Sequence, residues 1–192
     1  MNITPLRSLK NMGSKGKQIQ LINTKPIKRQ SRTASIERKL NNRLWQYDLG
    51  KSIWAFEVGI IIKTGRSVGY ENDIAEGFRL DCLQLYTDGK KEGRIVIYEI
   101  KSCREDYVSD KKWHHYLKAC HQFYWVVDRR FPEDILDTSS GAGVIVGDYI
   151  RKRAKVRKCD RSFDDMHRMI VRRMHYKINQ YCHSDEQLKW WE

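Results

Sequence analysis

The stretch Arg79-Leu-Asp-Cys-Leu-Gln-Leu-Tyr86, Thr87-Asp-Gly-Lys-Lys-Glu-Gly93 and Arg94-Ile-Val-Ile-Tyr-Glu-Ile-Lys101 decides the fold. Its two outer segments are rich in β-branched, aromatic and leucine side chains and read as strands. Asp88-Gly89 starts a turn of the hairpin kind between them. Side chains alternate along a strand with a period of two. Arg79, Asp81, Leu83 and Leu85 are therefore expected on one face, and Ile95, Ile97, Glu99 and Lys101 on one face of the partner. Antiparallel pairing about the turn brings Asp81 near Glu99. Two carboxylates and a lysine then project from an otherwise apolar sheet, which is costly unless they are paired or hold an ion. Hard oxygen ligands suit Mg²⁺ or Mn²⁺. Such an ion polarises a phosphoryl oxygen, acidifies water and stabilises a leaving oxygen. Lys101 would orient that water or neutralise phosphate charge.

Working outward, Ile53 to Ile62 reads as a strand before the pair, and Lys63 to Gly77, polar with three glycines, as a loop. Ser35 is placed to cap a helix through Ile36, Leu40, Leu44 and Tyr47, which Gly50 ends. Downstream, a helix is expected over Ser109 to Cys120. Phe123 to Val127 is an almost wholly apolar strand, as burial on both faces requires. Val144 to Val146 is a short further strand. A final helix begins at Ser162, with Asp165 near its N-terminus and Met166, Ile170, Met174, Ile178 and Tyr181 at helical spacing. The domain reading is a flexible basic arm over 1–33, then a single α/β domain over 34–192 with a basic C-terminal helix at 162–182. The expected fold class is a mixed sheet flanked by helices.

The net charge of +13 is unevenly spread: residues 1–39 carry +9, residues 151–192 carry +6 and the centre −2. Basic flanks about a slightly acidic centre suit a body that grips a polyanion and keeps its carboxylates for a metal. Lys28, Arg29 and Arg32 in the arm, and Arg168 and Arg172 on the final helix, are the candidate nucleic-acid contacts; a basic solvated face explains the helix equally well. Five cysteines without a regular framework read as reduced thiols in a cytoplasmic protein. No apolar run is long enough to span a bilayer. Cys120-His121 and Cys182-His183 lack the spacing of a zinc site. Trp113 reads as core. Asp106 and Asp110 read as helix-capping carboxylates. Asp81, Glu99 and Lys101 also admit a plain reading as a structural ion-pair cluster.

The residues Arg79-Leu-Asp81, Tyr98-Glu99-Ile-Lys101-Ser102, Asp106, Asp110-Lys-Lys112-Trp113, Tyr116, Cys120 and Phe123-Tyr124 together resemble the MmcB-like DNA-repair branch of the PD-(D/E)XK nuclease superfamily. The likeness covers roughly residues 52–150. Leu80 stands where the superfamily pattern has proline. The resemblance implies a restriction-endonuclease-like fold and a metal-dependent deoxyribonuclease of DNA repair or processing; a phage or mobile-element nuclease would have the same features. It implies that Asp81, Glu99 and the backbone carbonyl of Ile100 hold Mg²⁺ or Mn²⁺ and that Lys101 positions the attacking water. Lys112 and Tyr116, with Arg79, would steady the substrate phosphate. Two residues compete to complete the site: Glu57 on the first strand, which is preferred, and Glu37 on the preceding helix. The alternative is a non-cleaving nucleic-acid-binding or protein-inhibitor module on the same fold. Oligomeric state and strand preference stay open.

Overall fold

The two strands on either side of the Asp88-Gly89 turn pair as their alternation requires, with Leu83 opposite Ile97 and Leu85 opposite Ile95. The computed structural model describes residues 31–66 and 73–182. The expected arm through Lys28 and Arg29, and the Trp190-Trp191 pair, lie outside the described residues. In chain order the elements are α1 (Arg32–Asp48), β1 (Ser52–Arg66), β2 (Asp73–Tyr86), β3 (Ile95–Lys101), α2 (Arg104–Ser109), α3 (Trp113–Tyr116), β4 (Gln122–Val127), β5 (Gly143–Val146), β6 (Tyr149–Lys152) and α4 (Phe163–Cys182). The six strands form one sheet in sequential order. Its first three strands run antiparallel, β3, β4 and β5 run parallel, and β6 returns antiparallel at the edge. The architecture is mixed α/β, a six-stranded sheet flanked by helices, as a restriction-endonuclease-like fold requires.

The sheet divides the apolar side chains into two clusters. On one face Leu83, Leu85, Ile95, Ile97, Phe123 and Trp125 pack with Trp113, Tyr116, Met166 and Ile170. On the other, Cys82, Val96, Tyr98, Ile100 and Val126 pack with Ile36, Leu40 and Leu44 of α1. Strands β3 and β4 are thus covered on both faces, which is why both read as nearly continuous apolar runs. Helix α1 buries its i, i+4, i+8 stripe against the sheet. Tyr47, placed on that stripe by sequence, is 53% exposed.

Several boundaries differ from the sequence reading. Ser31, not Ser35, caps α1: its hydroxyl accepts from Ala34 N at 3.2 Å, while Ser35 N already donates to Ser31 O as a helical amide. Most of the expected loop at 63–77 is strand, because β1 and β2 continue their hairpin past Ile62 to Arg66 and back from Asp73. Of the helix expected over Ser109 to Cys120 only the single turn of α3, Trp113–Tyr116, forms; α2 precedes that range and ends at Ser109. The edge strand β6 has no counterpart in the sequence reading; it is four residues long and mostly exposed, so it lacks apolar alternation. At the far end, Ser162 Oγ accepts from Asp165 N at 3.1 Å, the cap the sequence suggests.

Gly143 opens β5 where the ring of Tyr124 lies against the backbone. A Cβ there would press into Tyr124 Cδ1 and Cε1 and stand 2.6 Å from Ala154 N. Backbone and a buried ring cannot both yield cheaply in a close-packed core. Gly143→Ala is expected to cost about 1–3 kcal/mol. Urea unfolding would register this as a lower midpoint at unchanged slope; an unchanged midpoint would mean that the ring moves freely.

Candidate active site

Glu99 and Lys101 occupy the end of β3, where both side chains are buried, at 6% and 4% relative exposure. The β2–β3 ladder stops at Cys82 opposite Tyr98. One step further, Asp81 closes the gap with its side chain: Oδ2 accepts from the Ile100 amide at 2.7 Å. This amide would otherwise be an orphan donor at the sheet's end.

The strict alternation expected along β2 breaks at this point. Phe78 and Leu80 share the cluster of Leu83 and Leu85, so the parity changes around Asp81. Arg79 is consequently exposed and does not share a face with Asp81 and Leu83. The neighbouring strand changes parity at the same level. Ala55 and Val58 both join that cluster, and Glu57 between them has φ 56°, a left-handed conformation uncommon outside glycine.

Lys101 is held by carboxylates on several sides. Its Nζ lies 3.2 Å from Glu99 Oε1, 2.6 Å from Asp110 Oδ2 and 3.8 Å from Asp106 Oδ1. The Trp125 ring lies beneath it, 6.0 Å to the centroid. Asp110 does two jobs, since Oδ1 accepts from Lys112 N at 2.8 Å and ties the loop before α3 to the lysine. Asp106 accepts from Ser102 N at 3.2 Å. Neither carboxylate caps a helix as expected from sequence: Asp106 lies in the first turn of α2, Asp110 just after its end, and neither short helix has a side-chain cap. The reach of Asp110 to Lys101 is new, and its only trace in the sequence is a carboxylate nine residues after the lysine.

The charge balance leaves Glu99 uncompensated. Burial, and then the charge of Asp81, push its carboxyl up to about 8, against the pull of Lys101. Burial also raises Asp81, although the Ile100 amide and Lys101 oppose it. Burial would lower Lys101, but Glu99, Asp110 and Asp106 outweigh it and raise its pKa. Asp110 is lowered, because the Lys101 and Lys112 hydrogen bonds overcome burial. The lysine is therefore secure while Glu99, which shares it with other acids, is not. Its Oε2 is buried and receives no donor, and its relief without an ion is a proton on the carboxyl, shared with Asp110. A buried acceptor left bare is costly, and together with Asp81 it is the donor chemistry a hard divalent cation takes. Among the described residues, however, no three His, Cys, Asp or Glu side chains are arranged to hold a metal.

The other expected site residues fall at varied distances from this centre. Tyr116 is buried against Phe78 and Phe123, and burial, then Glu99, Asp110 and Asp81, raise its pKa. Its hydroxyl thus stays protonated beside the carboxylates. Lys112 is exposed on the loop that Asp110 fixes. Glu57 turns towards α4: Arg173 and Lys177 both pair with its Oε2, the latter at 3.3 Å. Glu37, half-buried on α1, has no hydrogen bond or close ion pair with a described residue. Burial raises its carboxyl, and Glu57 and Asp81 add to the effect against the pull of Lys177.

Of the candidate nucleic-acid contacts, Arg32 belongs to α1 rather than to an arm. It forks onto Asp128 through Nε at 2.5 Å and Nη2 at 2.7 Å. Arg168 pairs with Asp165 one turn before it, and Arg172 is exposed. All five cysteines are free. His121, one of the discounted zinc candidates, accepts from the Ile95 amide at 3.0 Å and serves the fold. No helix among the described residues is long and apolar enough to cross a membrane.

Fold and site together define a mixed α/β domain with a buried carboxylate–lysine centre where its central strands end. The chain belongs to the MmcB-like family of DNA repair proteins, whose model, described as "DNA repair protein MmcB-like", matches residues 46–172. That span contains Asp81, Glu99, Lys101 and Asp110. Among solved structures, the chain resembles the SPO1766 protein of unknown function from Silicibacter pomeroyi, with a TM-score of 0.57 and 21% identity over 82% of this chain and 94% of that one. At that identity the likeness concerns the fold. No curated protein matches the chain.

Proposed function

We propose that the protein is a Mg²⁺- or Mn²⁺-dependent deoxyribonuclease of the PD-(D/E)XK type that acts in DNA repair or processing. The observation that carries this reading is the bare, buried Glu99 Oε2 beside Asp81, in a site whose lysine is already committed. Membership of a DNA-repair family supports DNA as the substrate.

Asp81 and Glu99, with the Ile100 carbonyl, would hold the ion. Glu37 is the acid we assign to complete the set, because Glu57 is occupied by Arg173 and Lys177, whereas Glu37 has no ion pair with a described residue and is raised despite the pull of Lys177. The ion would supply positive charge to the phosphoryl group and lower the pKa of water. Lys101, fixed by Asp110, would keep an ammonium beside the attacking water. Tyr116 offers a hydroxyl that stays protonated, and Lys112 an exposed cation for the substrate phosphate.

The test is metal-dependent nicking of plasmid and of single-stranded DNA. Glu99→Ala and Lys101→Ala are each expected to cut about hundredfold more slowly than wild type. Calorimetry should show that Glu99→Ala has lost Mn²⁺ binding while its circular dichroism is unchanged. If all three proteins behave alike with both metals, the enzyme reading is lost.

The saturation of Lys101 by its carboxylates favours a second reading, in which the cluster is structural and the domain binds nucleic acid without cutting. Wild type would then retain DNA without nicking it, and Lys101→Ala would lower stability alone.

A further inference from the structure

On the face of the sheet opposite Trp125, α1 covers only one end. Beyond it opens a cavity of about 690 Å³ that the proposed nuclease site does not use. Six cationic side chains line it, Arg43, Lys51, Lys90, Lys91, Arg94 and Arg153, against only two carboxylates, Asp48 and Asp88. Both carboxylates are engaged internally: Asp48 Oδ1 accepts from Tyr86 Oη at 2.8 Å, and Asp88 accepts from the Gly89 amide. The cavity is left with a clear excess of positive charge.

Its floor is aromatic and held in place. Tyr98 and Tyr124 stack with centroids 5.6 Å apart, Tyr98 donates to the fully buried Gln84, and Gln84 donates to Ser52 Oγ at 2.8 Å. Lys91 Nζ lies 3.1 Å from Tyr86 Oη and 4.5 Å above that ring's centroid. At the rim stands Tyr47, whose ring the core leaves more than half exposed. Lys51, Lys90 and Arg153 are exposed and have no ion pair with a described residue.

We infer that this cavity is a binding site for a nucleoside phosphate, its phosphate met by the cationic rim and its base by the tyrosines. The volume lies in the range of sites for ligands of that size and exceeds what inorganic phosphate needs. A planar, uncharged ring system suits the aromatic and aliphatic floor, whereas an acidic peptide would leave that floor unused. Charge-assisted hydrogen bonds to phosphate give the rim its purpose. The same chemistry is offered by a free nucleotide and by the phosphorylated end of a polynucleotide. The site stands apart from the nuclease reading, since none of the residues assigned to the metal or to the substrate phosphate lines it.

Calorimetry of the full chain in EDTA tests the inference, with a nucleoside 5′-monophosphate, the unphosphorylated nucleoside, inorganic phosphate, an acidic peptide, and a short oligonucleotide with and without its 5′-phosphate. The monophosphate or the phosphorylated oligonucleotide should bind at least about tenfold more tightly than its unphosphorylated counterpart. Binding by both assigns either source, and binding by the oligonucleotide alone assigns a polymer end. Lys51→Glu and Lys90→Glu, both on the surface, should each weaken that binding about tenfold. Tyr47→Ala should weaken the nucleotide more than inorganic phosphate. The inference is overturned if phosphorylation makes no difference, if the peptide binds as tightly, if no ligand binds at millimolar concentration, or if the charge reversals have no effect.

Discussion

Trp125→Ala is expected to remove about 3–5 kcal/mol of stability, the range for emptying a large aromatic site in a packed core. Trp125 is fully buried on the central strand β4. It meets Phe123, Tyr107 and Trp113 edge-on, with centroids 4.9, 5.0 and 5.2 Å away. Its Nε1 donates to Asp137 O at 3.2 Å, so truncation also strands a carbonyl. A loss of that size is a large part of the roughly 5–15 kcal/mol that usually holds a domain together. The indole also underlies Lys101, so the void would loosen the lysine's seat. Urea unfolding measures the loss. A change below about 1 kcal/mol would mean that the three neighbouring rings collapse into the space, against the partial relaxation usual for cores.

The strands around this tryptophan are legible in the sequence because two physical rules agree there. Strands buried on both faces are apolar throughout, as β3 and β4 are, and a hairpin with alternating side chains has one register that buries its leucines. Register alone puts Asp81, Glu99 and Lys101 at one end of the sheet. The parity change at Glu57 and Asp81 is not legible, because a single left-handed residue is a tertiary outcome. Arg79 therefore lies on the opposite face from the one that strict alternation predicts. Nor does local sequence reveal which carboxylate Lys101 holds. Asp110 does so from the non-helical stretch at the start of the helix expected over Ser109 to Cys120, a case of tertiary contact overriding propensity. Glu57 reads as a ligand from its position before Asp81. Its salt bridges come from α4, more than a hundred residues later in the chain, and no local pattern encodes them. The loop expected at 63–77 fails for another reason: glycine and polar residues have little β-propensity, so nothing local announces that β1 and β2 continue there.

Glu99→Gln should stabilise the metal-free protein at alkaline pH, and the direction follows from where the proton sits. An unfolded glutamate titrates near 4.5, whereas burial and Asp81 push folded Glu99 up to about 8. Below the lower value both states are protonated and the group is neutral to stability. Between the two, the folded protein keeps a proton that the unfolded chain has released. Stability therefore falls as pH rises through this window, by on the order of 3–5 kcal/mol once the buried carboxylate is forced to ionise. Asp81, also raised, tilts the profile the same way. Asp110 is lowered, so its contribution is lost only as pH falls below the ordinary aspartate range, and raised Lys101 matters only at strongly alkaline pH. Neither can cancel the slope between about pH 5 and 8. The substituted glutamine cannot ionise, yet its amide oxygen can still accept from Lys101. In EDTA the wild type should melt progressively lower from about pH 5 to pH 8, and Glu99→Gln should flatten that slope, matching wild type at the acid end and exceeding it at the alkaline end. Mn²⁺ added at the alkaline end should raise the wild-type melting temperature, because an ion that binds only the folded state stabilises it by mass action. The variant should respond little. A flat wild-type profile in EDTA would show that Glu99 is already compensated, and would remove the observation on which the metal site rests.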